Sequence, residues 1–270
     1  ITLENGSAST PALANRSDLN TGVFFSAADI FNVATGGVER LMLSNTSSVF
    51  NQSGADTDFR IEGDSEANLF YVNAGNNKIG IGTSDPSALL EVVNTSGAAE
   101  IICSSSTQPR LMLKTTGTTA ECRIDFGDSG DSSRGAVGYN HNDDALKFYT
   151  TGVTNERMRL DSSGRLLLGI TSSRSSAGIQ TKLQIEGTDE PTSSLSLIRN
   201  TNNANAPRLI FGKTRGASTG ANVVVQDNDV LGNIAFVGND GTDLGSFAAN
   251  IAAFVDGTPG SNDMPGRLVF

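Results

Sequence analysis

Apolar and polar residues alternate with a period of two in short runs along the whole chain. The clearest runs are RLMLKT at 110–115, CRIDF at 122–126, ERMRLD at 156–161, KLQIE at 182–186, SLSLI at 194–198 and NIAFV at 233–237. Each run has the length of an ordinary strand with one buried face. Sequences that accept a positive φ at low cost, such as Asn239-Asp240-Gly241, separate the runs. The pattern predicts an all-β chain of short strands and tight turns.

Two segments are also compatible with a helix. Asp85-Pro86-Ser87 is typical of a capped helix start with Pro at the first helical position, so we expect at most one short helix near 85–91. The segment 246–255 fits helical and strand spacing equally well. We favour a strand there because Asp256-Gly257, a turn signal, follows at once.

Internal similarity predicts how the chain is organised. Three motifs recur: PRLML at 109–113 as PRLIF at 207–211, ERL at 39–41 as ERM at 156–158, and IGIGT at 79–83 as LLGIT at 167–171. Because the offsets differ, the pattern indicates a degenerate module rather than a solenoid of fixed period. We expect an N-terminal β module at 1–78, a first repeat module at 79–164, and a second at 165–270 that ends at the start of a further repeat.

Strands with one apolar face need something to cover that face and their free edges. Stacking along one axis and wrapping identical chains around it would do both. The 13 Phe suit a narrow interior of stacked rings, and the 30 Gly allow close approach of chains. We therefore expect an elongated, intertwined homo-oligomer. A monomeric pair of β-sandwiches remains the alternative.

Composition and charge exclude several classes. With 37% hydrophobic and 18% charged residues, the chain differs from disordered proteins and from helical bundles. The net charge of −10 disfavours nucleic acid as a partner, since phosphate binding depends on Lys and Arg. No stretch approaches the roughly 18 apolar residues that cross a bilayer, so we expect no membrane insertion. Residues 1–10 lack the pattern of a signal peptide, and because the first residue is not Met we expect a chain that was processed, trimmed or cut from a longer protein.

Candidate catalytic and cofactor-binding groups are sparse. His141, the sole histidine of the sequence, lies in a polar stretch that predicts a solvated loop. Gly212-Lys213-Thr214 lacks the upstream Gly of a phosphate-binding loop, because Pro207 occupies that position. Cys103 and Cys122 lie in strand-like runs, and we expect both to be buried free thiols. We expect no cofactor.

Carboxylates cluster in three loops, with Asp125, Asp128 and Asp131 in the first, Asp227 and Asp229 in the second, and Asp240 and Asp243 in the third. Asp side chains also start turns by accepting hydrogen bonds from nearby backbone, and we favour that role over calcium binding or sugar cleavage. We therefore predict no catalytic, cofactor-binding or metal-binding residue. The alternative is a polysaccharide-degrading enzyme that uses a pair such as Asp125 and Asp143.

Two longer motifs carry a resemblance to a known family. IGIGTSDPSALLEV at 79–92 resembles the GIGT-x-x-P-x-x-x-L-x-V signature of bacteriophage tail-fibre shafts. ERMRLDSSGRL at 156–166 is similar to the run that precedes this signature in such shafts. The segments at 11–40 and 256–270 resemble further modules of fibres from marine, cyanophage-like viruses. In these proteins the shaft often precedes an endosialidase-type intramolecular chaperone, to which no part of this sequence is similar.

The resemblance implies a non-enzymatic, homotrimeric structural component of a viral tail fibre that takes part in host attachment outside the cell. Its implied partners are its own copies, other virion tail or fibre proteins, and a host surface receptor that is a glycan or a protein. The receptor-binding residues are unknown; candidate loops by length and polarity are 126–134, 170–181 and 214–222. A bacterial or algal surface adhesin with similar repeats is a third alternative.

Overall fold

The computed structural model describes residues 2–270 and confirms the all-β class. Strands make up 36% of the chain, and in the described residues the helical content is one 3₁₀ turn at Pro191–Ser193. The chain divides into two compact units, of which one ends at Arg110 and the other runs from Leu111 to Phe270. Each unit contains two β-sheets.

The first sheet is an antiparallel meander. Its strands are β1 (Leu13–Asn15), β2 (Asp18–Phe24), β3 (Phe31–Thr35), β4 (Val38–Leu43) and β5 (Ser48–Phe50). Asn32 on β3 is fully buried. Its Nδ2 donates to Glu39 Oε1 at 2.9 Å, and its Oδ1 accepts from the Ser26 backbone N–H at 3.1 Å. Because the buried amide is paired on both sides, it fixes β3 against β4 without a desolvation cost.

The second sheet consists of β6 (Phe59–Ile61), β7 (Phe70–Asn73), β8 (Lys78–Ile81) and β9 (Leu90–Val92), with β9 parallel to β8. The short helix considered near 85–91 does not form. The chain bends through this segment and enters β9, and Pro86 is buried. A segment of two turns at most cannot offset the cost of helix nucleation, whereas parallel pairing with β8 gives its end backbone hydrogen bonds along one edge.

The third sheet, in the second unit, has six strands in chain order. They are β10 (Glu121–Phe126), β11 (Gly135–Asn140), β12 (Ala145–Thr150), β13 (Glu156–Leu160), β14 (Leu166–Leu168) and β15 (Leu183–Ile185). All neighbours are antiparallel except β14 and β15, which run parallel. The strands predicted from CRIDF, ERMRLD and KLQIE are confirmed here.

The fourth sheet is formed by β16 (Val230–Gly238), β17 (Ser246–Val255) and β18 (Gly266–Val269), all antiparallel. It confirms the strands predicted at NIAFV and at 246–255. The predicted runs at 110–115 and 194–198 form no strand. The module boundaries predicted at 78/79 and 164/165 stay predictions, and Ile1 of the first module lies outside the described residues.

The buried core is small for a chain of this size. In residues 2–270, nine apolar residues are buried and four of them are alanines, whereas 39 large apolar residues are exposed. Fully burying one large aliphatic or aromatic side chain contributes roughly 1.5–3 kcal/mol. Most of the hydrophobic stabilisation available to this sequence is therefore not realised within one chain.

Candidate functional site

Two segments stand out because their backbone makes no hydrogen bond to other backbone groups of the chain. We call residues 94–119 the first unpaired segment and residues 195–213 the second unpaired segment. The structure describes every residue of both, and neither contains a strand or a backbone–backbone hydrogen bond. Backbone N–H and C=O groups in folded proteins are nearly always paired within protein or with water, so both segments present open hydrogen-bonding edges.

Apolar side chains line these open edges. Ile102 in the first segment and Ile198 and Ile210 in the second are each 78% exposed. The same two segments contain the alternating runs that predicted strands at 110–115 and 194–198. The periodicity indicates that these residues suit a strand, but a strand also needs a neighbour, and the chain does not supply one.

The two segments share a motif and differ in charge from the rest of the chain. PRLML at 109–113 lies in the first segment and PRLIF at 207–211 in the second. The second segment carries Arg199, Arg208 and Lys213 and no acidic residue. The second unpaired segment is therefore basic, whereas the whole chain has a net charge of −10.

The exposed area has the magnitude of a missing interface. The chain exposes 19355 Å². A compact monomer of 28.1 kDa would expose about 11,000 Å², and two separate domains of half that mass about 13,000 Å². The excess is about 6,000 Å² or more, whereas each partner in a standard protein–protein interface loses about 800 Å². An excess of this size matches the large apolar interfaces of obligate oligomers.

One end of the second unpaired segment is seated on the fourth sheet. A cavity of about 210 Å³ lies between Phe211 and an apolar face that includes Ile234, Ile251 and Leu268. A Cβ atom on Gly232 would stand 2.7 Å from Phe211 Cβ, so glycine at this position of β16 is what allows the ring to approach. The run PRLIF thus contacts the fourth sheet at its last residue, although the Phe211 side chain is still 51% exposed and Leu209 and Ile210 are exposed as well.

A buried charge cluster, which the sequence analysis did not identify, joins β12 to β13. Lys147 Nζ lies 3.0 Å from Asp143 Oδ2, and Arg159 Nη1 lies 2.8 Å from the same oxygen. Arg159 Nη2 donates to Glu156 Oε2 at 2.7 Å. The Lys147 and Arg159 side chains are about nine-tenths buried, and every charge has an opposite neighbour. Lys147 lies on the same face of β12 as Ala145 and Tyr149, which are both buried. A lysine between two such residues was the available signal of a buried charge.

The electrostatics of this cluster are those of a structural ion-pair network. Hydrogen bonds to Glu156 raise the pKa of Arg159 above its usual value. Burial would raise the pKa of Asp143, but the ion pairs with Lys147 and Arg159 outweigh burial and hold it below the usual value. Burial, together with a hydrogen bond to Glu121, raises the pKa of the neighbouring Tyr149. All these shifts favour the forms already present near neutral pH, so none produces a group poised for proton transfer.

The candidate glycosidase pair does not come together. Asp125 is opposite Ala136 near the start of β11, and Asp143 lies in the turn beyond Asn140 at the other end of that strand. Four residues of strand span about 13 Å, which exceeds the carboxylate spacing of retaining and inverting enzymes. Asp125 is instead held by Arg123 Nε at 2.5 Å, and this ion pair lowers its pKa.

The other clustered carboxylates accept hydrogen bonds from backbone N–H groups, and all except Asp227 do so within their own turns. Asp128 Oδ1 accepts from the N–H groups of Gly130 and Asp131, at 2.8 and 3.0 Å. Equivalent contacts occupy the remaining acids: Asp131 with Ser133 N–H, Asp227 with Gly257 N–H, Asp229 with Gln226 N–H, Asp240 with Thr242 N–H, and Asp243 with Gly245 N–H. Across residues 2–270, no group of three His, Cys, Asp or Glu side chains is placed to hold a metal ion.

The prediction that Cys103 and Cys122 are free thiols is confirmed, but the prediction that Cys103 is buried is wrong. Both thiols are free in the described structure, but Cys103 is exposed, because its strand-like run lies in the first unpaired segment. Cys122 on β10 is half-buried, and its Sγ lies 3.7 Å from His141 Nε2. The His141 ring meets the Tyr139 ring edge-on, at 5.1 Å between centroids. Among the described residues no carboxylate bonds to His141, so the group that orients the base of a catalytic triad is missing.

The three candidate receptor loops stay predictions. The loop at 126–134 is organised by Asp128, and the loop at 170–181 is tied down by the Ala177 N–H, which donates to Leu244 O at 2.8 Å. In the loop at 214–222, Thr214 Oγ1 accepts from the Val223 N–H at 2.8 Å. All three loops present mainly exposed polar residues.

Comparison with known proteins identifies no family, so a functional assignment depends on the sequence and structure of this chain. No protein-family model matches the chain, and no curated protein matches it either. In residues 2–270, no helix has the length and apolar content that a membrane span requires.

Proposed function

We propose that this chain is a non-enzymatic structural component of a viral tail fibre, which takes part in host attachment and works as an intertwined homotrimer of repeat modules. The observation that carries the proposal is the exposed apolar surface, with two segments whose backbone is unpaired. A chain that leaves about 6,000 Å² more surface exposed than two separate compact domains of half its mass reaches a stable state by covering that surface with partners.

The repeat modules are supported by the strand pairs β3–β4 and β12–β13. Arg40 Nε donates to Thr35 Oγ1 at 2.9 Å. Arg157 Nε donates to Thr150 Oγ1 at 3.3 Å. Both arginines belong to the repeated Glu-Arg motif, so equivalent arginines make the same hydrogen bond to a threonine in two sheets.

The register of these strand pairs is also alike. The pairing of β3 with β4 shifts between Val33 and Ala34, and that of β12 with β13 shifts between Phe148 and Tyr149. Each shift lies two residues before the end of its first strand. A bulge at the same place in two sheets favours a common module over chance similarity.

The parallel crossovers form a second repeated feature. A Cβ on Gly82 would stand 2.1 Å from Val93 O, and a Cβ on Gly169 would stand 2.1 Å from Glu186 O. Both glycines have a positive φ, of 77° and 79°. The chain leaves β8 and β14 in the same conformation, which supports one type of module in which IGIG at 79–82 corresponds to LLLG at 166–169, one residue from the match of IGIGT with LLGIT.

A fibre built from such modules needs stiffness and sister chains rather than a catalytic centre. The paired carboxylates and the buried ion-pair network of the third sheet support this role, because their side chains are engaged in holding turns and strands. The exposed Ser, Thr and Asn side chains of the turns suit contact with a receptor at close range.

The location of the chain can be tested on virus particles. Antibodies against the purified chain should label tail appendages of virions whose genome encodes it, as seen by electron microscopy, and should block adsorption to host cells. Label confined to the capsid, or to the surface of uninfected cells, would overturn the proposal.

A further inference from the structure

We infer that the two unpaired segments are strands of sheets completed by sister copies of this same chain, with apolar residues of the runs 101–103, 111–113, 195–198 and 209–211 covered by those copies. The inference rests on the proposed homotrimer and specifies which residues join its chains. It follows from four properties of these segments, which are taken in turn.

The first property is that the segments are chemically strands without being paired as strands. Ile210 and its neighbours carry the apolar content of a strand, and the backbone of 195–213 donates and accepts no backbone hydrogen bond within the chain. An extended peptide in this state adds to another sheet through main-chain hydrogen bonds, with its side chains giving specificity.

The second property is that the nearest in-chain partner is not used. The first segment contains two apolar runs, 101–103 and 111–113, separated by a polar stretch long enough for a hairpin connection. The runs remain unpaired in the structure. The second segment repeats this arrangement with 195–198 and 209–211. None of the four runs has a backbone partner in the structure, so each is open to a strand from a sister copy.

The third property is charge. The second segment is basic, with Arg199, Arg208 and Lys213, whereas the chain as a whole carries −10. In an assembly of copies that each carry a net charge of −10, the basic segment lies in a net negative environment, which favours self-association over binding to a cationic partner.

The fourth property is area. The excess exposed surface of about 6,000 Å² per chain is what a large obligate interface buries, and a small receptor-sized contact would cover only a fraction of it. Each copy also contains two runs with one motif, PRLML and PRLIF, so every copy supplies the same two strands. Identical chains can then satisfy one another in a closed assembly.

Hydrogen exchange of the assembled protein tests this inference directly. Its mass is measured first by light scattering on the same sample. Peptides covering 99–114 and 195–213 should exchange at least about a hundredfold more slowly than the loop at 126–134, because their N–H groups are bonded to sister chains. If the assembly is trimeric and these peptides exchange like the loop, the inference is overturned while the trimer stands. If the protein is a monomer, both proposals fail.

A matched pair of variants tests whether assembly depends on the apolar runs themselves or on any part of the segment that contains them. Ile210→Asp places a charge in an apolar run, and Asn203→Asp places the same charge in the polar stretch of the same segment. Ile210→Asp should shift the assembly toward monomer at least about tenfold in midpoint concentration, and Asn203→Asp should leave it unchanged. Equal effects of the two variants, or protection of 195–213 in a monomeric Ile210→Asp protein, would overturn the inference.

Discussion

Phe211 lies against the backbone of Gly232, so closely that a Cβ atom at position 232 would stand 2.7 Å from Phe211 Cβ. This contact ties the end of the second unpaired segment to β16. The apolar residues Leu209 and Ile210, just before it, remain exposed. The segment is thus anchored at one end and open along its length, as expected for a strand that awaits a neighbour.

Gly232→Ala should displace Phe211 and destabilise the protein by about 1 kcal/mol, the lower end of the effect of overpacking, because the new Cβ overlaps Phe211 Cβ but the 51% exposed ring can shift toward solvent. Gly238→Ala is the control, since it lies on the same strand and its Cβ would meet nothing within 4 Å. Denaturant unfolding at fixed protein concentration measures both. Equal stability of the two variants would show that Phe211 is not seated as described.

Gly82→Ala and Gly169→Ala should each destabilise the chain by about 1–3 kcal/mol or more, because the new Cβ meets a carbonyl oxygen and the backbone has a positive φ. Gly178→Ala is matched for φ, at 74°, but meets nothing within 4 Å, so it isolates the cost of backbone strain. Thermal unfolding should rank Gly178→Ala as the mildest of the three. A reversed order would contradict the assigned crossover geometry.

Glu156→Ala should cost about 3–5 kcal/mol, because it leaves the buried Arg159 and Lys147 with one acidic neighbour instead of two. The comparison variant is Glu62→Ala, which breaks an exposed pair with Arg60 and should change the free energy of unfolding little. Both are measured by chemical denaturation at one protein concentration. Similar losses in the two variants would mean that the cluster is not buried in solution.

Stability should be nearly constant from pH 7 to about pH 5 and fall below about pH 4. The reason is that the pKa values of Asp143, Asp161 and Asp229 are lowered in the fold. A carboxylate with a lowered folded pKa stabilises the fold above its unfolded pKa, and this contribution is lost as the pH falls through the folded value. A melting temperature that rises on acidification would contradict the assigned ion pairs.

Arg215→Met gives that pH dependence a site-specific check. Arg215 holds Asp229 through two hydrogen bonds, at 2.7 and 2.8 Å, and is the main cause of its lowered pKa. In the variant, the pKa of Asp229 should rise toward its usual value, as followed by NMR titration, and the loss of stability in acid should become shallower. An unchanged titration of Asp229 would exclude Arg215 as its partner.

The sequence predicted the strands and turns whose signals are local. CRIDF and ERMRLD became β10 and β13, because alternation sets which face is buried and the Gly-containing turns set where a strand ends. The Asp side chains predicted to start turns do so, as Asp128 and Asp240 show. The short helix that the sequence allowed near 85–91 does not form, because tertiary pairing of β9 with β8 outweighs the local capping signal.

The features that the sequence could not predict depend on which segments and side chains contact one another in the fold. The run at 110–115 has the same alternation as β10, yet no neighbouring strand, and periodicity contains no information on where a neighbour comes from. Cys103 is exposed for the same reason. The charge cluster of Lys147 and Arg159 was missed because strand patterns treat a charged residue as facing outward unless its partners across the sheet are known.

The most direct test of the central claim, that this chain covers its apolar strands with its own copies, is sedimentation equilibrium across a wide range of protein concentrations, with unfolding followed on the same samples. The account predicts a species of three times 28.1 kDa whose melting temperature rises with concentration. A single species of 28.1 kDa that unfolds cooperatively at one temperature at every concentration would contradict it.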